Sequence, residues 1–364
     1  MIDLVYTILC LLSFIKIHIK GLNSFYDDYM DLDNTNAIKG LFVWMIFFRH
    51  FSQYLKYYSI KNKKSILIDN SFKQNIVSLF LFYSGYGIFE SFKKKGNKYI
   101  KTLPIKSLIL LIKFEIILFI FLCNNILLGI KTTLINYLQA FILRKSIGNS
   151  YWFSFTIITL YIHSFFSFFL IKKEKFGFLG ILLITFICFL HIHFVYKYYH
   201  PNEIISVDTI ICFVLGFYYS FFKAYIDKII MNSDIIYFGI ISILILNYYK
   251  FYIFNSQNIY NILLKNGIFT LIGILITMKV RFKNNFLFLL NNHSYSIYLL
   301  QKVIMIYIYK KGHFKNNEFI SFFFQFIMVI FLALIFDKYT TFIDKLYKYK
   351  KINKYQIQKT FIDK

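Results

Sequence analysis

The sequence predicts an all-α, polytopic membrane protein with about 10 transmembrane helices, plus an N-terminal apolar segment that could add one more crossing. Three observations lead there. Hydrophobic residues make up 58% of the 364-residue chain, only 2 prolines interrupt it, and apolar runs recur along its whole length. Each run is close to the roughly 20 residues that a helix needs to cross a hydrocarbon core. The net charge of +25 does not point to nucleic acid, because the cations are spread through short loops instead of gathered on one basic domain. Heavy use of Lys, Asn, Ile, Phe and Tyr is what AT-rich coding produces, so the 22% aromatic content is not itself a sign of aromatic belts.

Residues 3–19 are apolar apart from Lys16 and His18. They make either an extra crossing or a signal-like segment, although a basic leading region and an Ala-x-Ala-type cleavage site are missing. Together with an acidic linker they form a segment 1–33, ahead of a membrane core over 34–345 and a basic cytoplasmic tail over 346–364. The first core span, 36–58, carries Lys39, Arg49 and His50. The second, 74–92, runs into the basic stretch Lys93-Lys94-Lys95, and the third, 105–128, begins after Pro104. Residues 132–143 are too short to cross and are expected at the interface. Span 151–171 opens at Trp152, read as an interfacial anchor. The remaining spans are 176–197, 204–223 just after Pro201, 233–254, 259–279, 285–309 and 318–337.

Loop charge gives an orientation. With the stretch before Lys39 in the cytoplasm, the inside loops hold Lys93 to Lys101, then Lys172, Lys173 and Lys175, then Lys223 and Lys228, then Lys279, Arg281 and Lys283, and finally the Lys-rich tail. The outside loops hold fewer cations, although Lys61, Lys63, Lys64, Lys310 and Lys311 run against a clean split. The positive-inside rule therefore favours a cytoplasmic start and a cytoplasmic C-terminus for the core.

The chemistry centres on the first core span. Lys39 and His50 are eleven residues apart, close to three helical turns, so they share one face roughly 16 Å apart. A lysine near the inner face suits a phosphate, as a point charge. A neutral imidazole deeper in suits general-base activation of a hydroxyl. Burying a histidine there is costly, and ionisable groups at membrane depth usually line a cavity; the alternative is a packing histidine satisfied by a neighbouring hydroxyl. Arg49 lies about 100° round the helix from His50, where it snorkels, pairs with an acid or joins the same cavity.

Further candidates for that cavity are Ser84, Tyr86 and Glu90 at the end of the second span, Trp152, Asp208, Tyr298 and Gln301. Gly85 and Gly87 allow close approach of a neighbouring helix or a ligand. Either acid, Glu115 or Asp208, could orient His50. No metal site is expected: Cys10, Cys123, Cys188 and Cys212 lie in apolar stretches without a CxxC pair, and His163, His191 and His193 are scattered.

These pieces resemble the integral-membrane acyltransferase 3 family, whose members acylate sugars and other cell-surface groups. Lys39 to His50 resembles the family's basic residue, ten spacers and histidine, with Lys in place of the usual Arg. Ser84-Gly85-Tyr86-Gly87 with its basic loop, Leu215-Gly216 with Asp227-Lys228, and Ser294-Tyr-Ser-Ile-Tyr-Leu-Leu300 resemble later family pieces, in order, over about residues 34–345. Gln301 stands where many relatives carry histidine. Lys101 and Lys106 stand in for arginines that often precede the third helix.

The resemblance implies a bacterial inner-membrane enzyme with no bound cofactor, using acyl-CoA, acetyl-CoA in the first instance, as donor substrate. The acceptor would be a hydroxyl of a cell-surface or lipid-linked glycan. His50 would be the general base, and Lys39, Lys94, Lys95 and Lys101 would attract the coenzyme's phosphates. With no appended esterase-like domain in the sequence, the core would act alone or with a partner. The lipid bilayer is the other partner expected, nucleic acid is not, and the oligomeric state is open. Two rival expectations are a transporter or flippase of lipid-linked sugars and an inactive family member.

Overall fold

The computed structural model describes residues 2–57, 75–171, 176–198, 207–253, 258–312 and 317–362. Helices account for 82% of it, so the all-α class holds. The sheet among the described residues is one antiparallel pair, β1 (Ile17–Ile19) on β2 (Val280–Phe282), with His18 opposite Arg281. Lys61, Lys63, Lys64, Lys172, Lys173, Lys175 and Pro201 lie outside the described residues.

The N-terminal segment splits in two. α1 covers Ile2–Phe14, roughly 20 Å of helix and too short to cross a core of about 30 Å. The chain turns at Lys16, where φ is 59°, and enters β1. α1 still belongs to the bundle: the Trp44 indole N–H donates to Ser13 Oγ at 2.9 Å, and Tyr6 packs edge-on against Trp44 and Phe48.

The core helices follow as α2 (Leu32–Tyr57), α3 (Asn75–Lys95), the single turn α4 (Asn97–Ile100), α5 (Leu103–Leu127), the short α6 (Leu134–Phe141) and α7 (Trp152–Phe168). After these come α8 (Gly177–Tyr198), α9 (Ile210–Ile230), α10 (Asp234–Ile253) and α11 (Ile259–Lys279). The last three are α12 (Asn285–Asn292), α13 (Ser294–Lys311) and α14 (Glu318–Ile362). Five of them, α8, α9, α10, α11 and α14, are long and apolar enough to cross a bilayer. α2, α3 and α5 are as long but carry polar or charged residues inside, among them Lys39 and Arg49, Glu90, and Lys113 and Glu115. Among the described residues five helices thus meet both length and composition, and the expected count of about ten crossings is not confirmed by them.

Three spans differ from the sequence expectation. The run 285–309 is not one helix: it breaks at His293 (φ −112°, ψ 15°), which closes α12 and opens α13. Asn284 caps α12 by accepting from the Phe286 amide at 2.9 Å. The span drawn at 204–223 begins its helix only at Ile210 and runs on to Ile230. α14 continues well past residue 337, so the basic tail prolongs a helix.

Close helix packing explains two glycines. On Gly85 a Cβ would lie 2.1 Å from the Phe213 carbonyl oxygen, and on Gly216 2.3 Å from that of Phe82, so α3 and α9 touch backbone to backbone. Gly87, expected to share that role, faces open space.

The face of the bundle that carries the sheet is tied down by polar contacts. Lys20 and Tyr26 amides donate to the Lys279 and Met278 carbonyls, and Arg281 pairs with Asp28. Lys279 Nζ sits 2.7 Å from Asp234 Oδ1, over the Phe25 ring. Tyr29 donates to Asp227 Oδ1 at 2.6 Å and shares a 2.7 Å bond with Tyr219, while Lys223 pairs with the same aspartate.

Candidate active site

Asp31 starts α2 as an N-cap, its carboxylate accepting the Asn34 amide at 2.7 Å. From there Asn36, Lys39, Val43 and Ile46 form one stripe at helical spacing, and all four line a cavity of about 260 Å³. His50 is the next residue on that stripe, one turn beyond Ile46.

The other walls have the same logic. α3 supplies Val77, Phe80 and Ser84, and α7 supplies Phe153, Ile157 and Tyr161, each set repeating every three or four residues. The broken α12–α13 pair brings in Asn291, Ser294, Tyr295, Tyr298 and Gln301. The break at His293 lets residues from both short helices face one space.

The polar groups here are incompletely satisfied. Gln301 is wholly buried, donates from Nε2 to the Tyr298 carbonyl at 3.0 Å, and leaves Oε1 without a partner. The Tyr298 hydroxyl faces Ser150 and the Phe153 backbone but completes no hydrogen bond. Lys39 Nζ lies 5.7 Å from the centre of the Tyr83 ring, a cation–π approach. Among the described residues no carboxylate pairs with Lys39. A half-buried ammonium beside an unsatisfied phenol donor is suited to an anionic or ester-like ligand, and the open Gln301 Oε1 to a hydroxyl that donates.

His50 is 8% exposed, and its Nδ1 lies 3.1 Å from Gln53 Oε1. With that oxygen as acceptor, Nδ1 carries the proton and Nε2 keeps its lone pair. The acid sought as partner for His50 is thus an amide. Arg49 and Lys302 act electrostatically on the imidazole. Arg49 is also within electrostatic reach of Asp208 and Tyr298, so it joins the same interior region. Asp208 is buried at the start of α9, with Asn266 donating to its carbonyl at 2.6 Å.

Of the residues expected around the cavity, Lys39, Ser84, Tyr298 and Gln301 line it. Arg49, His50 and Asp208 are not among its lining residues. Tyr86 and Glu90 do not line it: they sit on the opposite face of α3, where Glu90 takes the Ser220 hydroxyl at 2.7 Å and pairs with Lys93 at 2.5 Å. Trp152 does not line it either, and packs edge-on against Phe153, which does. It is half-buried and follows the buried Asn149 and Ser150. Lys94, Lys95 and Lys101 are exposed around α4, away from the cavity walls.

Sequence reasoning missed Lys302, Tyr161, Tyr295 and Asn36. Lys302 was legible as the neighbour of Gln301; the tyrosines were lost among 31 in the chain. Among the described residues no cluster of three or more metal-ligating side chains occurs.

Residues 32–338 match the family model described as the acyltransferase domain, acyltransferase 3. The chain belongs to the acyltransferase 3 family. It is accordingly a multi-pass membrane protein of an acyltransferase family. No curated protein and no solved structure matches it. The match begins at the first residue of α2 and takes in every wall of the cavity. α1 and β1 fall outside the acyltransferase 3 match.

Proposed function

We propose that this protein transfers an acyl group, acetyl in the first instance, from cytoplasmic acyl-CoA to a hydroxyl of a cell-surface or lipid-linked glycan, in the inner membrane of a bacterium. The observation that carries this reading is the stripe on α2, which runs from Lys39, with no carboxylate partner among the described residues, along the cavity wall toward His50. Family membership supports an enzyme over a transporter.

In this scheme Lys39 holds a phosphate or the thioester end of the donor by charge, and the exposed Lys94, Lys95 and Lys101 raise the local concentration of the anionic coenzyme. The acceptor hydroxyl approaches His50 from the opposite end. Nε2 takes its proton as the oxygen attacks the thioester carbonyl; a C–O bond forms, the C–S bond breaks, and the coenzyme leaves as thiolate, recovering the proton from the imidazolium. General-base catalysis of this kind contributes about 10²–10⁴-fold. The Tyr298 hydroxyl supplies a hydrogen-bond donor near the developing oxyanion.

The test is transfer of label from radiolabelled acetyl-CoA in membranes containing the wild type or His50→Ala. Label in a cell-surface glycan fraction with the wild type alone supports donor and base together. Equal transfer by both removes His50 from the scheme.

A further inference from the structure

A second cavity, of about 510 Å³, lies on another side of α13, between α5 and α14. Its walls are Val303, Ile304, Tyr307, Phe324 and Met328 among others, all apolar or aromatic, with a single amide, Asn124. Asn124 is 7% exposed, and its Nδ2 completes no hydrogen bond. An unsatisfied buried amide donor costs on the order of 1–3 kcal/mol, so this group is built to meet an acceptor.

The placement is informative. Asn124 lies three residues from the end of α5, at the bundle end opposite the sheet. Phe324 and Met328 lie six and ten residues into α14 from that same end, roughly 9 and 15 Å deep. The slot thus runs from the interfacial level to about half of a 30 Å hydrocarbon core, with its polar group at the top and hydrocarbon below. Phe324 and Tyr307 are each 40% exposed, so the slot opens to the lipid phase. That is the profile of a lipid tail in one leaflet with an ester, ether or phosphoester oxygen at its head.

We propose that this slot binds the hydrocarbon tail of the acceptor, which is therefore lipid-linked, with Asn124 donating to the first oxygen after the tail. This rests on the acyl-transfer reading for the tail's role, but not for its binding. The deep end of the slot, at Val303 and Ile304, is about one turn from Gln301 in the first cavity, so α13 separates the tail from that cavity. The bilayer itself gives little hydrophobic gain to a chain leaving it for a protein slot. Selectivity then comes from the Asn124 hydrogen bond and from shape.

The experiment uses the full chain in phospholipid nanodiscs and a hexadecyl glucoside carrying a diazirine in its tail, with labelled positions mapped by mass spectrometry. Labelling is expected on α13 and α14 around Ile304 and Met328. Ile304→Trp, which fills the slot, should abolish it, and Asn124→Leu should weaken it about fivefold. Excess hexadecyl glucoside should compete and methyl glucoside should not. Labelling spread over all lipid-facing helices, or unchanged in Ile304→Trp, overturns the site. Site-specific labelling that excess phosphatidylglycerol displaces as well as hexadecyl glucoside also overturns it, reducing the slot to an ordinary lipid contact. Absence of acyl transfer alongside specific labelling would count against the enzymatic reading and leave the tail site standing.

Discussion

Lys39 and His50 occupy one stripe of α2, with the last cavity-lining residue of that helix, Ile46, between them. The cation reaches the cavity and the imidazole stands one turn past its end.

His50→Ala should lower the rate of acyl transfer about 10²–10⁴-fold while leaving donor binding unchanged. Gln53→Leu tests the orienting bond. Without the Oε1 acceptor 3.1 Å from Nδ1, the imidazole loses the contact that keeps Nε2 free as base, and kcat should fall with little change in KM. Steady-state kinetics of both variants decide; a Gln53→Leu enzyme with unaltered kcat would assign the histidine's orientation to packing alone.

Lys39→Gln should raise KM for acyl-CoA at least about tenfold if the ammonium meets a phosphate or thioester. Lys39→Arg should retain tight donor binding, because the guanidinium keeps the charge and adds a fork of donors. Binding of a non-hydrolysable acyl-CoA analogue by calorimetry separates this from a catalytic effect. Equal affinity in Lys39→Gln and wild type would place the donor elsewhere.

Gly85→Ala should prevent normal packing of α3 on α9, since its Cβ would stand 2.1 Å from the Phe213 carbonyl oxygen. Overpacking typically costs about 1–3 kcal/mol, and a backbone contact cannot relax as a side chain does. Gly87→Ala meets nothing within 4 Å and should change stability by less than about 1 kcal/mol. Thermal unfolding in detergent, read by monodispersity on gel filtration, compares the two.

Much of this arrangement was legible in the sequence. Period and length placed most helices within a few residues, because a bilayer demands a long uninterrupted apolar run. The α2 stripe was legible for the same reason: helical spacing fixes a face. What the sequence hides is the neighbour. Tyr86 and Glu90 sit only two and six residues from Ser84, yet they turn to α9 while Ser84 turns to the cavity. The fracture at His293 left no proline or glycine as a signal. The contact that holds it is tertiary: a carboxylate from a helix over forty residues away.

That carboxylate carries the last prediction. Asp337 on α14 holds both sides of the break, with Oδ2 at 2.5 Å from His293 Nδ1 and Oδ1 accepting from Ser296 Oγ at 2.5 Å. Asp337→Ala should leave two partly buried polar groups without their acceptor, at a cost of about 1–3 kcal/mol. Because α12 and α13 both line the cavity through Asn291, Ser294 and Tyr298, loosening their junction should also blunt acyl transfer. Asp337→Asn keeps one acceptor oxygen and should fall between the two. Unfolding temperature and acyl transfer measured on the same preparations should move together across wild type, Asp337→Asn and Asp337→Ala. A variant that loses stability but keeps full activity would show that the elbow holds the bundle without shaping the site.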